Sequence, residues 1–409
     1  MFKTGRDAMS LASQHFALLG ATPLFDKVVP VGQLYFPSWA RYEAAMRGIF
    51  NRQYYTNNGP LLAELESKLQ GFFGVKHAIC VLNATFGLMM VADAMELTGK
   101  VILPSFTFIA SAQSLSWAGI EPVFCDIDPI THHVTSKKIE ALIDDGVSGI
   151  MGVNLWGGGC DVHALQTCAE VHGLRLYFDS AHAFGCEVNG QKIAGFGNAE
   201  VFSFHATKIL SATEGGCICT NDDDLADRLR AIRPSYGNVR TVEVHRVINA
   251  RMSEAQAAIA LMSLEDFPKN RQHNEDMFCL YRQMLAPIPG IRLVEPAGVS
   301  FSNYQYVVCE VDEAVFGLSR DSIIAVLKAE NVNARRYFYP GVHRSIEYRA
   351  NPSGAAGKLP TTENLCEICF QLPIGAPVDA DIVGRICEIL ALAHLHAPKL
   401  QAKLADMNP

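Results

Sequence analysis

Between residues 59 and 222 the chain alternates between two hydrophobic patterns. Short runs that are apolar at nearly every position, such as HAICVL, KVILP and LRLYF, predict strands that are buried on both faces. Segments with apolar residues at helical spacing, such as LLAELESKLQGFF and DVHALQTCAEVHG, separate these strands. Buried strands that alternate with helices predict an α/β fold, in which a mostly parallel sheet is flanked by helices.

A different pattern follows a long helical stretch, which we expect to run from about residue 253 to 285. There YQYVVCEVD predicts a strand, and SRDSIIAVLKAENV and DADIVGRICEILALA predict helices. We therefore expect an N-terminal arm and helix over residues 1–50, a large domain over 51–285, and a smaller C-terminal α+β domain over 286–409.

Composition narrows the class of protein. Hydrophobic residues make up 49% of the chain and charged residues 19%, as in ordinary globular proteins, and the net charge of -8 argues against a nucleic-acid partner. No apolar run is long enough to span a bilayer, and the N-terminus lacks a secretion signal, so we expect a cytoplasmic protein. Twelve dispersed cysteines indicate reduced thiols. The CxxC of Cys366 and Cys369 lacks a second ligand pair; we expect both residues to pack on a helix, and no metal site.

Polar residues follow several of the predicted strands. In parallel sheets the residues after the strands meet at one edge, where ligands bind. Asn83, Ala84 and Thr85 start a predicted helix there, which suits either a phosphate or a plain helix cap. Asp179 ends the strand LRLYFD, where its carboxylate faces either a cavity or a turn. His182, taken alone, fits a structural role.

Lys208 has the most unusual surroundings of these residues. It follows the strand AEVFSFH, and small or polar residues and a Gly-Gly pair surround it in HATKILSATEGG. A lysine that is confined in a cavity loses hydration, which disfavours its charged form. We expect its amine to be a nucleophile that is suited to a Schiff base.

Pyridoxal 5′-phosphate (PLP) is a cofactor that uses all of these groups together. Its aldehyde needs a lysine, its ring nitrogen a carboxylate, its phosphate a helix start with hydroxyls, and its ring face a flat partner. The chain offers Lys208, Asp179, Ala84, Thr85, Ser203, and either Phe108 or His182. The P-loop, dinucleotide-binding and nucleophile-elbow motifs are missing from the sequence.

Segments along most of the chain resemble the DegT/StrS group of nucleotide-sugar aminotransferases. They include TNNGPLLAELESKL, GVKHAICVLNATFGLMM, LPSFTFIASAQSLSWAGIEPVFCDIDP, FDSAHAFG, FSFHATKILSATEGG, INARMSEAQAAIALMSLEDF and ARRYFYPGVH. The resemblance implies a PLP-dependent transferase of fold type I that works as a homodimer with shared active sites. Two positions depart from the group's pattern, since Ala84 stands where glycine is frequent and Phe178 where an acidic residue is usual.

The resemblance also implies roles for individual residues. Lys208 would be the Schiff-base lysine and proton shuttle, and Asp179 would pair with the pyridine nitrogen. Phe108 would stack on the ring, and His182 would lie near its oxygen side. The phosphate would be held by Ala84, Thr85, Ser203 and, from the neighbouring subunit, Asn249. Residues near the substrate would be Asn58, Arg251, Tyr339 and His343.

The activity that the resemblance implies is transfer of an amino group from glutamate or glutamine to a keto-deoxyhexose nucleotide. His182 and the wording of SFHATK resemble members that aminate C4 of dTDP-4-keto-6-deoxy-D-glucose, whereas members that aminate C3 more often carry glutamine at that position. A C3 aminotransferase, a PLP-binding regulator and a PLP-dependent sugar dehydratase stay open as alternatives. Lys208 disfavours the dehydratase, because dehydratases of this group carry histidine there.

Overall fold

The structure is a computed structural model that describes residues 16–234, 242–350 and 358–407. Nine strands lie between residues 77 and 220: β1 (His77–Val81), β2 (Lys100–Pro104), β3 (Glu121–Cys125), β4 (Val147–Val153), β5 (Arg175–Asp179), β6 (Glu187–Val188), β7 (Gln191–Lys192), β8 (Ala199–Ser203) and β9 (Gly216–Thr220). β6 and β7 form a hairpin, and the other seven form one sheet in the order β1-β9-β8-β5-β4-β2-β3. β9 is antiparallel to both of its neighbours and the remaining pairs are parallel, which confirms the predicted mostly parallel sheet.

Helices cover both faces of this sheet. They span Pro60–Phe73, Ala84–Ala94, Ile109–Ala118, Ser136–Glu140, Val162–His172 and Asp223–Ile232, and helix Trp39–Arg52 precedes them. The two-sided burial is clear in β5, where Tyr177 packs in the core of one face and Phe178 in the core of the other. Uniformly apolar strands are required by this arrangement, because neither face meets water.

The register of the central strands aligns their carboxyl ends. Asp179, the last residue of β5, lies opposite Val153 of β4 and Val201 of β8. Residues that follow these three strands therefore emerge side by side at one edge of the sheet, as expected from the sequence.

The long helix Glu254–Leu285 connects the central sheet to a second one. Its start is fixed by a capping box, in which Ser253 and Gln256 satisfy each other's backbone amides. The second sheet contains β10 (Ile291–Leu293), β11 (Val307–Val311), β12 (Arg335–Arg336) and β13 (Cys369–Leu372), all antiparallel, in the order β10-β11-β13-β12. The accompanying helices are Glu313–Phe316, Arg320–Ala329, Pro360–Ile368, Ala380–Leu395 and Ala397–Met407.

The first described residues of the N-terminal arm pack on this second sheet. Phe16, Phe25 and Val29 share a hydrophobic core with Val307. The carboxylate of Glu330 accepts hydrogen bonds from two backbone amides of the arm, at 2.7 and 2.8 Å. The arm therefore adds apolar surface to the C-terminal core, although the rest of the predicted arm, residues 1–15, lies outside the described residues.

Cys366 and Cys369 belong to two different elements of the fold. Cys366 lies in helix Pro360–Ile368, but Cys369 begins β13, so the expectation that both belong to one helix is wrong. Both side chains are buried in one hydrophobic core, as expected for packing residues.

Within the described ranges, the helices are all too short or too polar to cross a lipid bilayer.

Candidate active site

A cavity of about 420 Å3 lies at the carboxyl edge of the central sheet. Residues that end or follow β1, β2, β4, β5 and β8 line it, together with Arg335 of β12 and the aromatic residues Tyr337 and Phe338. The predicted site residues that line this cavity are Ala84, Thr85, Phe108, Asp179, His182, Ser203 and Lys208. Groups that are up to 124 positions apart in the chain, from Ala84 to Lys208, therefore meet in one place.

Lys208 lies in the loop that joins β8 to β9. A backbone hydrogen bond of 2.8 Å from Phe204 to Gly215 closes the base of that loop. The Nζ of Lys208 donates a hydrogen bond to the hydroxyl of Tyr306 at 2.7 Å. Burial lowers the pKa of Lys208 to about 8, although the nearby carboxylate of Asp179 opposes this shift. About a tenth of the amine is therefore uncharged and nucleophilic at pH 7, far more than for an ordinary lysine.

Asp179 presents a buried carboxylate to the same cavity. Its Oδ2 accepts a hydrogen bond of 2.7 Å from the Ser111 hydroxyl, which in turn lies 2.8 Å from the Thr107 hydroxyl. Its Oδ1 accepts a longer bond of 3.2 Å from the amide of Ala181. Burial raises the pKa of Asp179, and the Ser111 hydrogen bond is the largest opposing influence. The carboxylate is thus held in a fixed orientation in a buried site that favours pairing with a cationic group.

The start of helix Ala84–Ala94 forms another wall of the cavity. Asn83 caps the helix, since its side chain accepts a hydrogen bond of 2.9 Å from the amide of Phe86. Ala84 and Thr85 in the first turn and Ser203 at the end of β8 all line the cavity. A helix N-terminus beside hydroxyl groups is a favourable place for a phosphate.

Gly216 allows this helix start to lie close to β9. A Cβ at Gly216 would come within 2.9 Å of the Ala84 nitrogen and 2.8 Å of the Phe202 carbonyl oxygen, both backbone atoms. We expect Gly216→Ala to lower the free energy of unfolding by about 1–3 kcal/mol, because the backbone must shift. Urea unfolding of the purified protein measures this change.

Gly71→Ala is the matched control for that measurement. Gly71 lies in helix Pro60–Phe73, and an added Cβ there would meet no atom within 4 Å. We expect this variant to equal or exceed the stability of the unchanged chain, by up to about 1 kcal/mol, because alanine favours a helix. Equal stabilities of the two variants would contradict the close approach at Gly216.

Phe108 and His182 are the two predicted ring neighbours. The Phe108 side chain is 62% exposed and borders the cavity, so one face of its ring is free to stack. His182 is buried, and its ring centroid lies 4.2 Å from that of Tyr306. Burial lowers the pKa of His182 well below its ordinary value, and the neighbouring Lys208 adds to this effect. His182 is therefore neutral, and its buried Nδ1 has no hydrogen-bond partner in the described part of the chain.

This geometry agrees with the comparison with known protein families. The sequence profile of the DegT/DnrJ/EryC1/StrS aminotransferase family matches residues 40–391. The chain belongs to this family. The resemblance inferred from the sequence motifs is thereby confirmed, and with it the class of enzyme, a sugar aminotransferase.

Individual members of the DegT family are similar over most of the chain. The dTDP-4-amino-4,6-dideoxy-D-glucose transaminase of Shigella dysenteriae is 35% identical over 368 residues, which are 88% of this chain and 98% of that protein. The GDP-perosamine synthase of Caulobacter vibrioides is 35% identical over 69% of this chain and 77% of its own. Among solved structures, DesI in the presence of its TDP-sugar product superposes with a TM-score of 0.92 at 40% identity, covering 96% of this chain and 99% of that one.

Five predicted residues of this DegT-family chain lie outside the cavity lining. Asn58 accepts a hydrogen bond of 2.8 Å from Arg233, and Asn249 pairs with Pro234 through its backbone. Arg251 donates to the carbonyl of Pro234 at 3.0 Å. These three residues form one group near Pro234, and their predicted roles at a substrate or a partner's phosphate stay predictions.

Tyr339 and His343 follow the cavity-lining residues Tyr337 and Phe338 in the chain. Tyr339 lines a second cavity of about 390 Å3, which shares Phe108, Arg335 and Tyr337 with the first. His343 is buried, and its Nδ1 lies 2.6 Å from the Ser105 hydroxyl. In this structure His343 therefore fixes the loop after β2, and its predicted role near the substrate stays a prediction.

Several lining or supporting residues were missed by sequence reasoning. They are Ser111, Trp156, Tyr306, Arg335, Tyr337 and Phe338. Trp156 lies three residues after the end of β4, so the rule that site residues follow strands would have found it. Arg335 to Phe338 precede Tyr339 in the quoted segment ARRYFYPGVH, but no local pattern links them to Lys208.

A cluster of potential metal ligands lies behind Trp156. His132, Glu310 and Cys369 offer ligand atoms within 4.8 Å of one another. Trp156 donates to the Nδ1 of His132 at 3.1 Å, so the Nε2 of His132 carries the proton and donates to Glu310 at 2.8 Å. Arg292 also pairs with Glu310. Because both ring nitrogens and the carboxylate are engaged, the cluster is explained as a hydrogen-bond network that supports Trp156.

Proposed function

We propose that the protein is a PLP-dependent aminotransferase that transfers an amino group from glutamate or glutamine to a nucleotide-linked keto-deoxyhexose. The acceptor that we favour is dTDP-4-keto-6-deoxy-D-glucose, aminated at C4. The observation that carries this proposal is the convergence of the Lys208 amine and the Asp179 carboxylate on one cavity, in a chain of the DegT family. The name of the Shigella relative and the TDP-sugar product of DesI support the choice of a dTDP-linked sugar, and the name of the Shigella relative also supports amination at C4.

The residues around the cavity fit PLP. Lys208 supplies an amine, Asp179 a buried carboxylate, and Thr85 with Ser203 hydroxyls at a helix start. The buried, unpartnered Nδ1 of His182 offers a hydrogen bond to a polar group of a ligand. When bound, PLP supplies an aldehyde that takes up the amino group and a ring that withdraws electrons from the reacting carbon.

Each of these side chains then has a definable task. When its amine is uncharged, Lys208 Nζ takes a proton from the α-carbon of the amino donor. In the second half of the reaction it gives a proton to the sugar carbon that receives the amino group. Asp179 would accept a hydrogen bond from the protonated ring nitrogen of bound PLP and would keep that nitrogen cationic. His182 stays neutral, so it contributes a hydrogen bond without adding a positive charge beside Lys208.

Arg335 supports anionic substrates. Its side chain lines the cavity that contains Lys208, and it also borders the second cavity. A guanidinium group binds a carboxylate through paired, charge-assisted hydrogen bonds. We expect Arg335→Leu to raise the KM for glutamate about 10- to 100-fold, because hydrogen bonds between charged groups are lost. Initial rates at varied glutamate concentration measure this change.

Arg336→Leu is the matched control for this prediction. Arg336 is the neighbour of Arg335 in β12, but its Nε pairs with Asp321 at 2.9 Å and it does not line the first cavity. Its replacement should leave the KM for glutamate nearly unchanged. Equal effects of the two replacements would contradict a specific role of Arg335 in donor binding.

We also propose that the active unit is a homodimer with shared sites, in which Asn249 reaches the phosphate of the neighbouring subunit. Asn249 is exposed and lies outside the cavity of its own chain, which suits such an arrangement. We further propose that residues 286–409, which carry the second sheet, act as the small domain of a fold type I enzyme.

The experiment that tests the function is a product analysis. The PLP-loaded protein is incubated with glutamate or glutamine and with dTDP- and GDP-linked 4-keto- and 3-keto-deoxyhexoses, and the products are analysed by mass spectrometry and NMR. We expect replacement of the carbonyl oxygen by an amino group at C4 of the dTDP sugar. Loss of water without gain of nitrogen would indicate a dehydratase. Amination at C3 would indicate a 3-keto-sugar aminotransferase, and the absence of any sugar product would indicate a regulator.

A further inference from the structure

We propose that Tyr306 is a positioning residue that holds the Nζ of Lys208 by a hydrogen bond in both protonation states of the amine. This inference rests on the proposed function, in which Lys208 is the reacting amine. It concerns a residue that the sequence motifs do not indicate, because Tyr306 lies 98 positions after Lys208 and immediately before β11 of the second sheet.

The contact between the two side chains is direct. Lys208 Nζ lies 2.7 Å from the Tyr306 hydroxyl and 5.4 Å from the centroid of its ring. Tyr306 is only 4% exposed, so solvent does not compete for this hydroxyl. Since Tyr306 immediately precedes β11 of the second sheet and Lys208 lies in the loop after β8 of the central sheet, the bond also fixes this loop against the C-terminal part of the chain.

The ring of Tyr306 has little freedom to move. Its centroid lies 4.2 Å from that of His182, 5.6 Å from that of Trp156 and 6.1 Å from that of Tyr337. Trp156 is itself held by its hydrogen bond to His132. A hydroxyl on a ring packed in this way defines one position for the amine.

A phenol suits this task better than a carboxylate does. Burial raises the pKa of Tyr306 well above its ordinary value, and the adjacent Tyr337 adds to this effect, so the hydroxyl stays protonated. It accepts a hydrogen bond from a charged amine and donates one to an uncharged amine. A carboxylate would favour the charged form of the Lys208 amine and would therefore lower the fraction of uncharged, nucleophilic amine.

Other groups act on the same amine. The titratable and charged side chains that line the cavity with Lys208 are Asp179, His182, His205, Glu214, Arg335 and Tyr337. The Tyr337 hydroxyl interacts with both Tyr306 and Arg335. Removal of the Tyr306 hydroxyl deletes none of these groups, and among them only Tyr337 is described above as its partner, so the effect on Lys208 can be measured separately.

Tyr306→Phe tests the inference, because the ring is kept and only the hydroxyl is lost. The cofactor-free protein is treated with short pulses of acetic anhydride over a pH range around 8, and acetylation of Lys208 is quantified by mass spectrometry. We expect the midpoint of the pH profile to fall by about 0.5 to 1 pH unit. Loss of the hydroxyl destabilises the charged amine, which donates to it, more than the uncharged amine, which accepts a hydrogen bond from it. We also expect kcat to fall about tenfold, with little change in KM.

Tyr304→Phe is the matched control, because Tyr304 lies on the same segment but packs against Phe278 at 5.0 Å and does not line the cavity. Its pH profile and its kcat should equal those of the unchanged chain, and thermal unfolding verifies that both variants are folded. A midpoint in Tyr306→Phe that does not move, or a kcat equal to that of the control, overturns the inference. These two outcomes are distinguishable from failure of the proposed function, because in that case the unchanged protein would itself form no amino sugar.

Discussion

Replacing Lys208 by alanine is expected to reduce transamination at least about 1,000-fold, because one amine serves as nucleophile, base and acid. No other lysine lines the cavity in the described part of the chain, so none is placed to substitute for it. The measurement is the rate of amino-sugar formation in single turnovers, which separates the chemical step from product release.

Lys192→Ala is the matched control for the replacement of Lys208. Lys192 is also half-buried and also lies over an aromatic ring, that of Phe72, but it pairs with Glu187 away from the cavity. We expect its rate to stay within about twofold of that of the unchanged chain, because Lys192 does not line the cavity. A Lys208→Ala protein that forms amino sugar at a comparable rate would refute the assignment of the reacting amine.

Replacing Asp179 by asparagine is expected to lower kcat about 100- to 10,000-fold, by analogy with other enzymes in which a neutral amide replaces a charge partner. The amide has nearly the same shape, but it does not hold a ring nitrogen in its cationic form. Cofactor binding, followed by the absorbance of the loaded protein, should be retained in part because Lys208 and the helix start at Ala84 are unchanged.

Two further variants make the test of Asp179 specific. Ser111→Ala removes the 2.7 Å hydrogen bond to the carboxylate, and we expect a loss of about tenfold in kcat, since a bond to a charged group contributes roughly 1.5 to 3 kcal/mol. Asp144→Asn, on the surface beside Lys100, should have no effect on kcat. An Asp179→Asn protein as active as Asp144→Asn would mean that the ring nitrogen has another partner.

Much of the central part of the fold could be predicted from the hydrophobic pattern. The uniformly apolar runs that contain Tyr177 and Val201 form neighbouring strands, and the rule that site residues follow strands placed Asp179 and Lys208 in one cavity. That rule is physical, because parallel strands with aligned register release their following residues at one edge. Local sequence is sufficient wherever the contact is made by the end of a strand.

Contacts between distant segments could not be predicted in this way. Tyr306 contacts Lys208 and Glu330 caps the N-terminal arm at Ala17, but each pair is separated by at least 98 positions. Such contacts depend on how the second sheet packs against the rest, which no periodicity in the chain encodes. The buried hydrogen bonds between His343 and Ser105 are a further contact of this kind, which the motif around His343 did not indicate.

The most direct test of the account is to locate the covalent attachment of the cofactor. The PLP-loaded protein is reduced with borohydride, digested and analysed by mass spectrometry. We predict that the reduced cofactor is attached to the peptide that contains Lys208, and that prior incubation with glutamate removes this attachment. A reduced cofactor on a different lysine, or a loaded protein with no attachment at Lys208, would contradict it.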